Sequence, residues 1–250
     1  SDVIQDNRLS GSKDNQICDF SSTIFEGNIS FESYDKSNPL PEINFYDATF
    51  SGNANFFHAK FGGKADFFEA IFSGRADFFY AVFGGEAYFF EAIFSGRANF
   101  FETTFSGRAN FSYATFTDEA EFSSTKFNGG AYFRGDEENA DKKGLFKKGA
   151  DFINFSVKEK VRFEGVNLEK VSFLDSDLRN VDFLPTCEWR KQGGRKVLYD
   201  EVPFLSEKGK SFWQKIKRWW SGPKQGDSEK IEKVEILYRG LKQKYTGEHN

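Results

Sequence analysis

The stretch ADFFEAIFSGR (Ala65–Arg75) is followed directly by ADFFYAVFGGE (Ala76–Glu86) and AYFFEAIFSGR (Ala87–Arg97). Each copy reads small-x-Phe-x-x-small-x-Phe-x-x-x, so that phenylalanines recur after five residues and then after six. Neither interval keeps to one face of an α-helix, which turns by about 100° per residue. Short parallel strands that stack about 4.8 Å apart as the coils of a solenoid fit better. Consecutive eleven-residue units start at Ala54, Ala65, Ala76, Ala87, Ala98, Ala109 and Ala120.

The composition also indicates one packing site that is used many times. The chain has 33 Phe and no Met among 250 residues, whereas an ordinary core mixes several apolar residue types. In a solenoid the small residue and the phenylalanine of each unit would both point inward. The glycine that recurs at the tenth place predicts a positive φ at a corner, and the sixth residue of the longer interval is expected at a corner too.

Charge and cysteine content exclude several classes of protein. The net charge of −4 gives neither the basic field of a nucleic-acid-binding protein nor a strongly acidic surface. Cys18 and Cys187 lie near opposite ends of the repeats, so we expect them to be unpaired in a reducing compartment. The sequence contains no apolar run of about 18 residues and no signal peptide. Because it begins at Ser1 and lacks Met, we expect a fragment or a processed product.

The triplets ANF (Ala54–Phe56), ADF (Ala65–Phe67) and VDF (Val181–Phe183) match the motif A(D/N)Lxx, in which Leu or Phe is central. From about Cys18 to Phe183 the chain therefore resembles the pentapeptide-repeat family. The resemblance implies an all-β solenoid: a right-handed quadrilateral parallel β-helix of about seven coils, roughly 30–35 Å long. The alternation of five and six predicts coils of 22 residues in the middle, and a strict interval of five follows from Val161 onward.

The predicted organisation has four parts. A lead-in (1–17) precedes the β-helix (18–186), which a cap (187–208) and an amphipathic helical region (209–250) follow. Pro-containing and charged interruptions predict loops at 32–42 and 134–150, which serve either as tolerated insertions or as binding loops. A helix is predicted over Asp227–Tyr245. Its apolar stripe is a candidate helix–helix contact that comprises Ile231, Val234, Tyr238, Leu241 and Tyr245.

No pattern in the sequence predicts catalysis. His58 and His249 are far apart and lack neighbouring ligands at metal-binding spacing, and no phosphate-binding glycine loop or Ser/His/Asp order is present. The repeated carboxylates, such as Glu69 and Glu91, are interpreted as a solvated column. We predict a protein that is not an enzyme and that has no cofactor, no metal and no small-molecule substrate.

The fourth residue of the unit gives the first candidate interaction surface. In the geometry of the family it points outward, so Phe57, Phe79 and Phe101 should form one outer column and Phe68 and Phe90 the opposite one. An exposed apolar strip favours a protein partner or self-association. The alternative is that the rings only stabilise the adjacent ladders.

The segment FWQKIKRWW (Phe212–Trp220) gives the second candidate. A helix here would place aromatic and apolar residues on one face and basic residues on the other, which is typical of a helix lying on an anionic membrane surface. The alternative is that it docks on the end of the rod. The first face comprises Phe212, Trp213, Ile216, Trp219 and Trp220, and the second comprises Lys215, Lys217 and Arg218.

Two functions follow from these patterns. The cap and the last helix are similar to the rear part of certain prokaryotic pentapeptide-repeat membrane proteins, some of them ion-channel-like, in residues such as Trp189 and Tyr238. This resemblance implies a cytoplasmic, non-enzymatic scaffold at the inner face of a membrane, with no direct contact to nucleic acid. The alternative is a DNA-mimicking protein that binds gyrase, as some family members do. Basic residues such as Arg75 and Arg97 argue against this alternative, because they interrupt an anionic surface.

Overall fold

The computed structural model describes residues 17–32, 39–136, 145–192, 195–200 and 232–237. The repeats wind through four parallel sheets, which the chain visits in a constant order. We number these sheets as faces 1 to 4 in the order in which each coil passes through them. Face 1 contains eight strands, face 3 contains seven, and faces 2 and 4 contain five each within the described ranges.

The strands of face 1 are Cys18–Asp19, Ile43–Asn44, Ala65–Asp66, Ala87–Tyr88, Ala109–Asn110, Ala131–Arg134, Val161–Glu164 and Val181–Phe183. Those of face 2 are Ile24–Phe25, Thr49–Phe50, Ile71–Phe72, Ile93–Phe94 and Thr115–Phe116. Those of face 3 are Ile29–Ser30, Ala54–Asn55, Ala76–Asp77, Ala98–Asn99, Ala120–Glu121, Ala150–Asp151 and Val171–Ser172. Those of face 4 are Lys60–Phe61, Val82–Phe83, Thr104–Phe105, Lys126–Phe127 and Ser156–Val157.

The strand register confirms the predicted four-sided parallel solenoid of about seven coils. Ala65 pairs with Ala87, 22 residues later, as the alternation of five and six predicts. Val161 pairs with Val181, 20 residues later, where the interval becomes a strict five. In the longer coils the six-residue interval, such as Phe72 to Phe78, spans the corner after face 2 or face 4, so the additional residue lies at that corner.

Two longer connections leave the coils at the loops predicted over 32–42 and 134–150. Parallel bridges at Leu40 and Phe146 then return the chain to faces 4 and 2, respectively. The middle of each connection lies outside the described residues. The stacking of the coils continues past both connections without loss of register.

The core consists of stacked phenylalanine rings. Phe78 lies between Phe56 and Phe100 of the adjacent coils, with ring centroids 4.7 Å apart on either side and ring planes within 3° of parallel. Across the core, Phe78 meets Phe89 edge to face, at 5.5 Å and 85°. Both geometries are favourable for aromatic rings. The inward phenylalanines are fully buried and alternate with buried alanines that leave them room.

The sixth residue of the unit tolerates a polar side chain where the carbonyl of the preceding coil accepts its hydrogen bond. The buried hydroxyls of Thr103 and Thr125 donate to the carbonyl oxygens of Phe78 and Phe100, both at 2.7 Å. The Cys187 thiol makes the equivalent contact with the Phe163 carbonyl oxygen at 3.2 Å. Burial raises the pKa of Cys187 to about 11. The structure shows Cys187 and Cys18 as free thiols.

The prediction that the recurring glycine adopts a positive φ is wrong. Among the described residues, eleven other than glycine have φ between 52° and 60°, and those of the eleven-residue units, such as His58 and Glu69, occupy the fifth place. The recurring glycine is required instead by a close approach between coils. A Cβ atom on Gly85 would lie 2.6 Å from the carbonyl carbon and oxygen of Gly63, one coil earlier.

The C-terminal end of the solenoid is covered by the residues that follow it. Trp189 packs edge to face on Phe183, with ring centroids 5.2 Å apart. An antiparallel hairpin, Arg190–Gln192 with Arg195–Val197, comes next. The Asp200 carboxylate then accepts hydrogen bonds from the Ser172 hydroxyl at 2.6 Å and from the Phe173 amide at 2.9 Å.

Residues 232–237 form a helical segment that packs against this end of the rod. Val234 and Leu237 are buried, and Lys233 forms an ion pair of 3.1 Å with Asp175. The predicted stripe included Val234 but not Leu237, which lies three residues further on the same side of the helix. The other residues of that stripe lie outside the described residues: Ile231, Tyr238, Leu241 and Tyr245.

We predict that Gly85→Ala destabilises the protein by about 1–3 kcal/mol, because the new methyl group forces adjacent coils apart. Gly27→Ala is the matched control, since a Cβ atom on Gly27 meets no atom of the described residues within 4 Å. The measurement is the free energy of unfolding in urea. Equal values for the two variants would show that the glycine column has no steric role.

We also predict that Ser124→Gly stabilises the protein by about 0.5–1 kcal/mol, because Ser124 has a φ of 56° that glycine adopts without strain. The neighbouring change Ser123→Gly should destabilise by a similar amount, since Ser123 is absent from the positive-φ residues. Thermal unfolding of both variants measures the difference. A lower midpoint for Ser124→Gly than for wild type would refute the strain argument.

Candidate functional site

The fourth residues of the units form two outer columns of rings, one at each of two opposite corners. Phe57, Phe79 and Phe101 line the corner between faces 3 and 4, where successive ring centroids are 5.4 Å apart. All three side chains are half-buried. Their planes are tilted by 40° and 56°, unlike the parallel stacks of the core. The sequence placed these rings in one column, and the structure brings them together.

The opposite column lies at the corner between faces 1 and 2. Phe68 stacks on Phe90 at 5.2 Å, and Tyr46 stacks on Phe68 from the preceding coil, also at 5.2 Å. Tyr46 is 40% exposed, and sequence reasoning missed it. The repeat register identifies it, because Tyr46 takes the fourth place in INFYDATFSG, the upstream copy of the unit.

In six of the seven eleven-residue units, a side chain at the second place holds this corner geometry. An Asp66 carboxylate oxygen accepts a hydrogen bond from the Phe68 amide at 3.1 Å, and the Asn99 amide oxygen accepts one from the Phe101 amide at 3.1 Å. A short side chain with an acceptor two residues before the amide closes such a turn. The Asp or Asn of the sequence motif therefore fixes the backbone that carries the outer ring.

The fifth residue broadens the first column. The positive φ at this place accompanies the outward position of His58 and Tyr80, whose rings stack on each other at 4.9 Å and 8°. Tyr80 also stacks on Phe79 at 4.2 Å, and His58 contacts Phe57 at 4.3 Å. These residues and Phe101 form one continuous surface, which we call the aromatic patch. His58 was considered from the sequence only as a metal ligand, and Tyr80 was not considered.

Carboxylates lie beside the tyrosines of both columns. The negative charge of Glu102 raises the pKa of Tyr80, and desolvation and a hydrogen bond to the same carboxylate act in the same direction. Glu69 raises the pKa of Tyr46 in the same way. The phenol groups therefore stay protonated at neutral pH. Because each hydroxyl donates its proton to the neighbouring carboxylate, its oxygen can still accept a hydrogen bond at the rim of each column.

The aromatic patch covers a limited part of the rod. On the next coil its column continues as Ser123, and the opposite column continues as Ser112, both of which are buried. Three successive rings at about 4.8 Å per coil make the patch roughly 10 Å tall. Its size suits the insertion of a few apolar side chains from a partner.

The described part of the chain shows no group of three or more His, Cys, Asp or Glu side chains that could hold a metal ion. In the same ranges, no helix has the length and apolar character needed to cross a membrane. The tryptophan-rich segment lies outside the described residues, so the structure does not position its predicted faces: Phe212, Trp213, Ile216, Trp219, Trp220, Lys215, Lys217 and Arg218.

A family model described as pentapeptide repeats (9 copies) matches residues 89–135. The chain carries pentapeptide repeats. The resemblance found in the sequence is therefore confirmed, and the same coil geometry extends on both sides of the matched residues, from Cys18 to Phe183. No curated protein and no solved structure matches the chain. Pentapeptide-repeat solenoids are generally non-catalytic, and the fold supports a repeat scaffold.

We predict that Glu102→Gln lowers the pKa of Tyr80 toward that of a free phenol, because it removes the negative charge that raises it. Spectrophotometric titration of the phenols at 295 nm, taken as a difference from wild type, measures the shift. In a Tyr80→Phe background the same substitution should leave the titration curve unchanged. A shift that persists in this background would assign the effect to another tyrosine.

Proposed function

We propose that this pentapeptide-repeat rod is a non-enzymatic scaffold that binds a protein partner, or a second copy of itself, through the aromatic patch. The observation that carries the proposal is the exposure of stacked rings at one corner of a rigid solenoid. Tyr80 is 37% exposed, and Phe57, Phe79 and Phe101 are half-buried. Clustered aromatic residues that are already partly desolvated are typical of the energetic centres of interfaces.

The rigidity of the rod favours such a role. Each outer ring is attached to a coil whose strands, corner turn and core ring are fixed by neighbouring coils. A surface of this kind loses little conformational entropy when it binds, so more of the contact energy contributes to affinity. The tyrosine hydroxyl beside Glu102 adds a polar contact at the rim of the patch.

The test of the patch is the double variant Phe79→Ser, Phe101→Ser. If the patch mediates self-association, sedimentation velocity should show that this variant has lost the association seen for wild type. Phe68→Ser, Phe90→Ser at the opposite corner is the matched control and should retain it. If wild type and the Phe79→Ser, Phe101→Ser variant have the same sedimentation mass over the whole concentration range, the patch does not mediate self-association.

We further propose that the scaffold is cytoplasmic and lies at the inner face of a membrane, through the segment Phe212–Trp220. Asp200 and residues 232–237 both pack on the last coils of the rod. A basic and tryptophan-rich segment at that end would bring the rod to an anionic surface. This proposal also accommodates a larger membrane-associated parent protein.

Liposome flotation with neutral and anionic vesicles tests the membrane proposal. We expect salt-sensitive flotation with anionic vesicles that disappears in Trp213→Ser, Trp219→Ser, Trp220→Ser. If neither protein floats, the segment is not a membrane contact.

Binding to gyrase as a DNA mimic is the alternative. The described surface gives it little support, since Asp66 and Asp77 pair with Lys64 and Arg75 at 2.8 and 2.7 Å, so these carboxylates do not extend an uninterrupted anionic stripe. A supercoiling assay separates the two proposals. Inhibition of gyrase at micromolar protein would favour mimicry over the scaffold.

A further inference from the structure

We propose that the outer surface of face 1 binds an acidic segment of a partner protein through Arg108 and Arg162, which flank Tyr132. This surface is separate from the aromatic patch, because it lies on face 1 and at the adjoining corner after face 4, whereas the patch lies at the corner between faces 3 and 4. The inference depends on ring contacts, ion pairing and charge at these positions, and it holds whether or not the aromatic patch binds a partner.

Both guanidinium groups lie against the same tyrosine ring. The Arg108 Cζ atom is 5.8 Å from the centroid of the Tyr132 ring, and the Arg162 Cζ atom is 5.9 Å from it. The two cations are therefore at most about 12 Å apart. Arg162 is paired in register with Tyr132 on the next coil, and Arg108 comes from the preceding coil. Both arginines are exposed, and Tyr132 is 37% exposed.

The cation–π contacts orient the arginines without using up their donors. A guanidinium group held near an aromatic ring keeps N–H groups directed to its edges, where a carboxylate can accept two parallel hydrogen bonds. Because Tyr132 and Arg162 lie on paired strands and Arg108 directly precedes the strand Ala109–Asn110 of the same ladder, the two cations are presented with little freedom to separate. This arrangement is a preformed site for two negative groups.

Arg108 and Arg162 also differ from other arginines on the rod in their ion pairing. Arg75, Arg97 and Arg179 each lie within 3.8 Å of a carboxylate oxygen. Across the described ranges, no ion pair involves Arg108 or Arg162. The acidic neighbours on the same face have other partners: Glu86 accepts a hydrogen bond from the Tyr88 hydroxyl at 2.5 Å, and Asp182 pairs with Lys160 at 3.1 Å.

The spacing and the surroundings of the two cations select the ligand. In an extended chain, carboxylates two residues apart point to the same side and their backbone positions are separated by roughly 7 Å, which lies within the upper limit of about 12 Å on the distance between the two guanidinium groups. The site is narrow along the rod, because Glu86 lies on one side of it and Asp182 on the other. A broad anionic surface, such as a bilayer or a nucleic-acid duplex, would meet these carboxylates as well. A short acidic peptide segment avoids them.

Fluorescence anisotropy with a labelled nine-residue peptide carrying two glutamates two residues apart, on the same side of an extended chain, tests the site. Its counterpart has glutamine at both places. We expect wild-type protein to bind the glutamate peptide at least about tenfold more tightly than the glutamine peptide. Arg108→Gln, Arg162→Gln should weaken binding of the glutamate peptide by about tenfold or more. Arg108→Lys, Arg162→Lys should fall between the two, because lysine retains the charge but not the fork of donors.

The matched control is Arg75→Gln, Arg97→Gln, which removes the same charge from exposed arginines of face 3 that already have acidic partners. It should change the affinity by no more than about twofold. Phe79→Ser, Phe101→Ser should also leave the affinity unchanged, which separates this site from the aromatic patch. Circular dichroism and thermal unfolding confirm that each variant is folded.

Three results would overturn the inference. In the first, wild-type protein binds the glutamate and glutamine peptides equally. In the second, Arg75→Gln, Arg97→Gln weakens binding as much as Arg108→Gln, Arg162→Gln does, which would indicate only a general charge effect. Alternatively, phosphatidylserine vesicles or duplex DNA could compete with the peptide and bind more tightly in a manner that depends on Arg108 and Arg162. That result would assign the site to a membrane or to nucleic acid and not to a protein segment.

Discussion

The spacing between coils is set by two interactions that require the same distance. Parallel strands joined by backbone hydrogen bonds lie about 4.8 Å apart. The core rings of Phe56, Phe78 and Phe100 repeat at 4.7 Å with nearly parallel planes, a distance at which offset stacking is favourable. Because the ladder and the ring column agree, each coil repeats the one before it. The outer positions of the unit inherit this regularity.

The other recurring residues follow from that spacing. The glycine column allows the backbones of successive coils to approach at the corners, and the alanines leave volume for the rings. Asp or Asn at the second place closes the turn that carries the outer ring. The fifth residue adopts a positive φ at a cost of about 1–2 kcal/mol for a residue with a side chain, which the surrounding coils must offset. In return, His58 and Tyr80 lie on the surface beside the outer phenylalanines.

Much of the fold could be predicted because the same short pattern recurs in every unit. An interpretation of one unit therefore assigns the equivalent residues of all the others. The interval of the phenylalanines was sufficient for the solenoid and the inward residues. The four faces followed from the resemblance to pentapeptide repeats, and the two together gave the coil lengths. The role of the glycine could not be read from its recurrence, since a positive φ and a close approach between coils both select glycine. Only the structure shows that Gly85 meets the carbonyl group of Gly63.

The candidate sites could be predicted only in part. The outer phenylalanine columns follow from the repeat, but their proposed role in binding stays a prediction. The contacts of Arg108 and Arg162 with Tyr132 depend on which residues of three different coils lie side by side. The interruption over 134–150 separates Tyr132 from Arg162 in the sequence, so their pairing could not be inferred from the repeat interval. Leu237 was missed for a related reason, since its burial depends on where the helical segment meets the rod.

The most direct test of this account is the free energy of unfolding of Phe78→Leu. Leucine keeps most of the apolar burial at this position but removes the ring that stacks on both Phe56 and Phe100. The account predicts a loss of about 1–3 kcal/mol, since each aromatic pair contributes about 0.5–1.5 kcal/mol beyond its buried area. A loss below about 0.5 kcal/mol would contradict it, because the rings would then supply only apolar bulk and would not set the spacing of the coils.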